Sequence, residues 1–259
     1  EHVEYMAVPR MLALAEVLWT PKEKRDEADF IERLEAEFPK LEAMPVNASK
    51  SMYQVQITPK PGAKPGTVKV TLQSARPGLP MNYELITRYE NRGSIDPRND
   101  LEAQTQSGYT APFVISSNCT VKAWSEPGTE HAVQQPMPRS TATFGFNKAT
   151  ARPVTLSTLP NERYAEGGAF TLVDGITAQV KRVNTEWLGW KESITITIDL
   201  GQVQDISYIG IGALNEKYSW IHAPKAIEFE VSTDGRTFTT AGMGIPTLKE
   251  IPVINADPI

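Results

Sequence analysis

The chain reads as mainly β, with a short N-terminal helical segment followed by two β-sandwich units. Three observations predict this. Apolar residues recur at helical spacing up to about Met44, they alternate with polar ones from Tyr53 onward, and no strand-helix-strand order follows that would build a parallel sheet. At 259 residues there is room for about two domains of common size beside the helical piece. The expected divisions are 1–49, 50–149 and 150–259.

The first helix is expected within Glu4 to Trp19. Met6, Leu14, Val17 and Leu18 lie on one side of it, and Met11, Leu12, Ala15 and Trp19 carry the apolar surface round toward another. A helix apolar over so much of its girth is expected to be buried between partners. Pro9 cannot donate to a helical ladder, so it belongs at the first turn of the main helix or at a kink in a longer one. After it, Thr20-Pro21-Lys22-Glu23 reads as an N-cap and capping box opening a second helix. Phe30, Ile31, Leu34, Phe38 and Leu41 give that helix one apolar face, and Pro39 is expected to divide it into a helix and a further turn.

Past about Ala43 the period changes. Tyr53, Val55 and Ile57 alternate with polar residues, a loop rich in proline and glycine runs from Pro59 to Gly66, and Val68, Val70 and Leu72 alternate again. Further strands are expected at Tyr83 to Glu90, Tyr109 to Ile115, Cys119 to Trp124 and Thr141 to Asn147, together enough for a β-sandwich of roughly 100 residues. The polar stretch from Asp96 to Ser107 reads as a loop. Its acids Asp96, Asp100 and Glu102 lack the spacing and glycine of a calcium loop and read as solvated.

The last unit is written in the same alternation. Ile194, Ile196, Ile198 and Leu200 interleave with Thr195, Thr197 and Asp199. Strands are also expected at Ile206 to Gly212 and Ala226 to Val231, with Asp234-Gly235 as a hairpin turn before Phe238. Trp220 stands in the loop from Lys217 to His222, between strands. An indole there offers a flat apolar face to a pyranose, with Tyr218 and His222 of the same parity as hydrogen-bonding neighbours. The competing reading is that Trp220 packs against another domain. Trp187 is the weaker candidate for such a platform.

Composition narrows the classes. A formal net charge of −5 gives no basic footprint, so nucleic acid is not an expected partner. No apolar run approaches the roughly 20 residues a membrane span needs. The one cysteine, Cys119, excludes an internal disulfide, and with three histidines it leaves little for a zinc site.

Particular motifs say more. E-Y-M-x-x-P-R-x-x-A-L-A-E-x-x-W-T, carried by Glu4, Tyr5, Met6, Pro9, Arg10, Ala13, Ala15, Glu16, Trp19 and Thr20, resembles the last barrel helix of family-20 glycoside hydrolases, the β-N-acetylhexosaminidases. The resemblance implies that the first segment is the remnant of a TIM barrel and that the catalytic Asp-Glu pair and a Trp-x-Glu strand lie before Glu1. This chain then holds no catalytic residue and is expected to be inactive alone. R-Y-E-N-R-G-S-I-D-P, S-G-Y-T-A-P-F-V-I and C-T-V-K-A-W resemble the immunoglobulin-like domain that follows such barrels, although Glu90-Asn91-Arg92-Gly93 stands where that domain usually has Thr-x-Asp-Gly. L-V-D-G, T-E-W, I-D-L-G and P-K-A-I-E-F-E-V-S-T-D-G-R-T-F, in that order, resemble a discoidin-like, galactose-binding-like jelly roll from Ala151 to about Met243. The final aromatic-Val-Arg strand of that fold is absent.

The expectation is thus an accessory C-terminal region of an enzyme that removes terminal non-reducing N-acetylhexosamine, secreted, periplasmic or on the cell surface. Its expected partners are a glycan with N-acetylhexosamine or galactose and the missing catalytic barrel of the same protein. The alternative is a stand-alone carbohydrate-binding or adhesion module. No cofactor is required. The jelly-roll resemblance implies one metal, a structural calcium at Asp174 with Thr185 as a second oxygen, against the plainer reading of Asp174-Gly175 as a turn.

Overall fold

The computed structural model describes residues 2–44, 46–76, 78–89, 101–126, 137–178 and 182–244. Most of the R-Y-E-N-R-G-S-I-D-P motif, Asp96 and Asp100 lie outside them. The described chain is mainly β with helices at its N-terminal end. It divides into two compact units: one of Glu1–Pro59, Val70–Phe113 and Cys119–Ala142, the other of Lys60–Lys69, Val114–Asn118 and the chain from Thr143 onward.

In the first unit, Pro9 separates α1 (His2–Ala7) from α2 (Arg10–Trp19) and stands as the N-cap residue of α2. The expected burial of this helix is not what the structure shows. Within α2 no residue is buried, and Met11, Leu14, Val17, Leu18 and Trp19 are exposed, Trp19 to 87%. Among the described residues α3 (Glu27–Ala43) packs alongside it, next to the contacts it keeps with α1, and these cover only part of its girth. Leu12 is the α2 residue that reaches the cluster of Leu34, Phe38 and Tyr53.

The start of α3 also differs from expectation. Thr20 turns its hydroxyl back to donate to Glu16 at 3.0 Å, and residues Lys22–Lys24 form only a short 3-10 turn. Asp26 is the cap, its carboxylate accepting from the N–H groups of Ala28 at 2.9 Å and Asp29 at 3.2 Å. A carboxylate answers both the orphan N–H groups and the positive end of the helix, which a threonine hydroxyl does less well. Nor does Pro39 divide the helix. It removes one ladder bond, but Leu34 and the fully buried Phe38 hold the helix against the core on that turn.

Tyr53 lies in a 3-10 turn, Ser51–Tyr53, rather than in a strand. Its ring meets Phe38 at 5.8 Å between centroids, and its carbonyl accepts from the buried Ser125 hydroxyl at 2.6 Å. Strands β1 (Val55–Pro61) and β2 (Val68–Ser74) follow, and with β5 (Phe113–Ile115) form a sheet in the order β1-β2-β5. A second sheet runs β4-β3-β6-β7, from β3 (Met81–Tyr89), β4 (Leu101–Gly108), β6 (Cys119–Ser125) and β7 (Ser140–Phe144). In it β3 is antiparallel to both neighbours, setting Tyr83 opposite Ala123 and Ser107, and Leu85 opposite Val121 and Thr105. Several antiparallel sheets with inward rows of valine and alanine are what a β-sandwich needs. Strand β4 falls where a loop was expected. As an edge strand it exposes Gln104, Thr105 and Gln106, so its sequence carries no apolar alternation to read. The reverse holds at Tyr109 to Ile115: Tyr109 donates to the Met81 carbonyl at 2.7 Å, but Pro112 cannot donate to a ladder and the strand begins only at Phe113. Cys119 is buried in β6, and burial pushes its thiol up to about 11.

The second unit holds β8 (Val154–Leu156) paired with β9 (Ile196–Ile198), β10 (Ile227–Val231) paired with β11 (Thr239–Gly244), and the one-turn helix α4 (Val183–Glu186). Asp234-Gly235 makes the expected hairpin turn: the Asp234 carboxylate accepts from the N–H groups of Arg236 and Thr237, both at 2.8 Å, and Gly235 has φ +70°. Residues 206–212 do not form a strand. The apolar residues change parity, Ile206 and Tyr208 on one face and Ile209 and Ile211 on the other, and Gly210 and Gly212 add no side chain to pack.

The tie between helix and strand in the first unit is ionic as well as apolar. Arg76 grips Glu35 with two parallel hydrogen bonds of 3.0 Å, and Glu35 is 2% exposed. Replacing Arg76→Met strands a buried carboxylate and should cost about 3–5 kcal/mol in urea unfolding, whereas the double change Glu35→Leu/Arg76→Met should recover most of it. A single-variant loss under about 1 kcal/mol would place this pair with surface ion pairs instead.

Candidate functional site

Sequence reasoning singled out two places in the second unit. The first is the loop carrying Trp220. Glu216 and Ile221 close it with a reciprocal pair of backbone hydrogen bonds, 3.0 Å from Glu216 N–H to the Ile221 carbonyl and 3.1 Å the other way. Between them, Lys217–Ser219 form a 3-10 turn, with the N–H of Ser219 donating to Glu216 and that of Trp220 to Lys217. The chain then reverses through Trp220 itself, which sits in the left-handed region at φ +58° and ψ +28°. That conformation costs a side chain with a Cβ about 1–2 kcal/mol, and the closing bonds hold it.

The result is an aromatic pair presented to solvent. Trp220 is 87% and Tyr218 98% exposed, and His222, just past the closing pair, is exposed as well. The other two indoles of this unit are differently placed. Trp190 is half-buried and donates to the Thr158 carbonyl at 2.9 Å, and Trp187 is half-buried. An exposed indole held by its own backbone has one face free for a flat, partly apolar ligand. No residue pattern marks the left-handed tryptophan in advance, since glycine or asparagine normally stands at such a position.

The second place is Asp174. It is 6% exposed, with its carboxyl accepting the Ile176 N–H at 2.8 Å, and Gly175 at φ +84° makes the turn. A side chain at position 175 would press on the Gly145 carbonyl at 3.2 Å, so glycine is required by space as well as by φ. The flanking carbonyls are engaged: Val173 accepts from Ala151 and Gly175 from Gly145, both at 2.7 Å. Thr185 directs its hydroxyl to the Arg182 carbonyl at 3.5 Å. Among the described residues no three His, Cys, Asp or Glu side chains converge on a metal position, so a cation at this turn would rest on Asp174 and backbone oxygens. Burial, reinforced by the Glu186 carboxylate and opposed by the Ile176 N–H, pushes Asp174 up to about 7.

Sequence reasoning did not anticipate a groove in the first unit. It encloses about 260 Å³ and is walled by Pro9, Ala13, Phe30, Ile31, Leu34 and Met52, and its one carboxylate is Glu27. Glycoside cleavage of the usual kind needs two carboxyl groups facing one another across the bond, and this groove offers a single one.

No protein-family profile matches the chain. A stretch of 91 residues, 33% of the chain, is 34% identical to a β-hexosaminidase of Porphyromonas gingivalis. The match spans 11% of that relative's length. The similarity supports a glycosidase-related origin. No helix among the described residues is long and apolar enough to cross a membrane.

The Asp174 turn makes stability depend on pH with a definite sign. Its folded value near 7 lies above the ordinary 3.8, so the folded chain keeps a proton that the unfolded chain releases. The contribution of this group is full below about pH 4 and falls by about 1.4 kcal/mol per pH unit until pH passes about 7. Thermal melts should show this fall in the wild type and not in Asp174→Asn. Calcium held at the turn would favour the ionised carboxylate, raising the wild-type midpoint at pH 8 and leaving Asp174→Asn unmoved; equal responses would mean that the turn holds no cation.

Proposed function

We propose that this chain is the non-catalytic C-terminal accessory region of a β-N-acetylhexosaminidase-type glycoside hydrolase, and that the Trp220 loop holds glycan near the enzyme. The similarity to a β-hexosaminidase supports the first half, together with the opening motif from Glu4 to Thr20. In this reading residues 1–49 complete the catalytic barrel, 50–149 are an immunoglobulin-like sandwich, and 150–259 are a discoidin-like jelly roll. The parent acts outside the cytoplasm on terminal N-acetylhexosamine.

The exposed side of α2 gives this arrangement a physical motive. Met11, Leu14, Leu18 and Trp19 leave a large apolar stripe in water, and each such side chain gains roughly 1.5–3 kcal/mol when fully covered. A catalytic barrel that accepts α2 as one of its outer helices would cover it.

The observation that carries the glycan-binding half is the Trp220 indole, 87% exposed on a backbone held in a costly conformation. Sugar rings present flat patches of C–H groups that stack on indole, and Tyr218 and His222 can hydrogen-bond hydroxyls beside it. Titration with N-acetylglucosamine or galactose oligomers should quench wild-type tryptophan fluorescence saturably, and Trp220→Ala should bind about tenfold more weakly, a difference of about 1.4 kcal/mol. Equal binding by both would move the site elsewhere, and binding by neither would leave mechanical support of the barrel as the role.

The catalytic half is tested separately. The pure chain should release no more chromophore from an aryl N-acetylglucosaminide than a mock preparation does, because neither carboxylate of a hydrolytic pair can be assigned in it. Turnover above that level would refute the accessory assignment.

A further inference from the structure

The charges of the Trp220 loop point to what the bound sugar carries. The chain as a whole is acidic, with a formal net charge of −5. Between residues 216 and 225, however, the exposed permanent charges are Lys217 and Lys225. The one acid, Glu216, is half-buried, at the position whose backbone closes the loop. Lys217 opens the turn that Trp220 ends: the Trp220 N–H donates to the Lys217 carbonyl at 3.1 Å. The first and last residues of such a four-residue turn lie within about 7 Å of each other. Among the described residues the Lys217 ammonium has no hydrogen bond or ion pair. Its four-carbon stem is flexible enough to bring the charge beside a ring resting on the neighbouring indole.

We propose that this loop takes a pyranose bearing an anionic substituent, a ring carboxylate or a sulfate ester, with the ring on Trp220 and the anion on Lys217. The inference rests on the glycan-binding reading above and adds the substituent to it. Stacking on Trp220 supplies the affinity, and Lys217 supplies the selection. An ion pair this exposed adds only a few-fold in binding and fades with salt, so its signature is a salt-sensitive preference.

The intact chain, Lys217→Met and Trp220→Ala would be titrated calorimetrically with a neutral N-acetylglucosamine trimer, a galacturonate trimer and a sulfated neutral trimer. Low salt and about 0.5 M salt, where the screening length shrinks to a few ångströms, would be compared. The wild type should bind at least one anionic trimer about two- to fivefold more tightly than the neutral one at low salt and lose that margin at high salt. Which anionic trimer is preferred separates carboxylate from sulfate. Lys217→Met should keep the neutral affinity and lose the preference, and Trp220→Ala should weaken every trimer. A wild type without preference, or a Lys217→Met variant that retains it, overturns the anionic substituent while ring stacking stands. No binding of any trimer, or binding unaffected in Trp220→Ala, overturns the platform and this inference with it.

Discussion

The first unit depends on the burial of Tyr53. Its ring is fully enclosed against Phe38 of α3, and its carbonyl receives the Ser125 hydroxyl from the end of β6, so one residue ties the last helix to the four-stranded sheet. Burial raises the Tyr53 phenol above the ordinary range, because the enclosed site disfavours the phenolate. One turn away Glu35 is buried too, and it stays there because Arg76 meets both of its oxygens. The apolar contact and the ionic one serve the same joint. The first supplies free energy, and the second fixes the geometry at which α3 meets the segment after β2.

What the sequence disclosed follows from how each element meets water. Strands with one face inside alternate, so β2, β6 and β10 lie where Val68 to Leu72, Cys119 to Trp124 and Ala226 to Val231 said they would, and the change of period near Tyr53 marks the end of the N-terminal helices. Strand β4 exposes Gln104, Thr105 and Gln106 in succession, and nothing in L-E-A-Q-T-Q-S-G separates it from a loop. Competing local signals explain other differences. Thr20-Pro21-x-Glu23 has the pattern of a helix start, but Asp26 makes the stronger cap, and Pro39 breaks a helix only where packing does not outweigh one lost bond. In residues 206–212 the apolar positions switch parity between Tyr208 and Ile209, and two glycines weaken the stretch further.

The candidate site was legible in part. Exposure of Trp220 follows from its place between strands, and the turn at Asp174-Gly175 from its two residues. That Trp220 takes a left-handed backbone depends on the bonds that Glu216 and Ile221 make around it, and the burial of the Asp174 carboxyl depends on the fold around its turn. Sequence names the chemistry available at such positions, and the fold decides how much of it water can reach. The same division applies to α2: its apolar girth is plain in the sequence, while how much of it α1 and α3 leave uncovered is a fact of packing.

The buried thiol of Cys119 has a use of its own. With its value near 11, the group is almost wholly protonated at neutral pH and shielded by the sheet, so an electrophile finds no thiolate while β6 is in place. As it is the sole cysteine in the sequence, any covalent labelling of the chain by a thiol reagent counts openings of that one strand. The molecule therefore carries an internal clock for the integrity of its first unit, readable by mass spectrometry without any substitution.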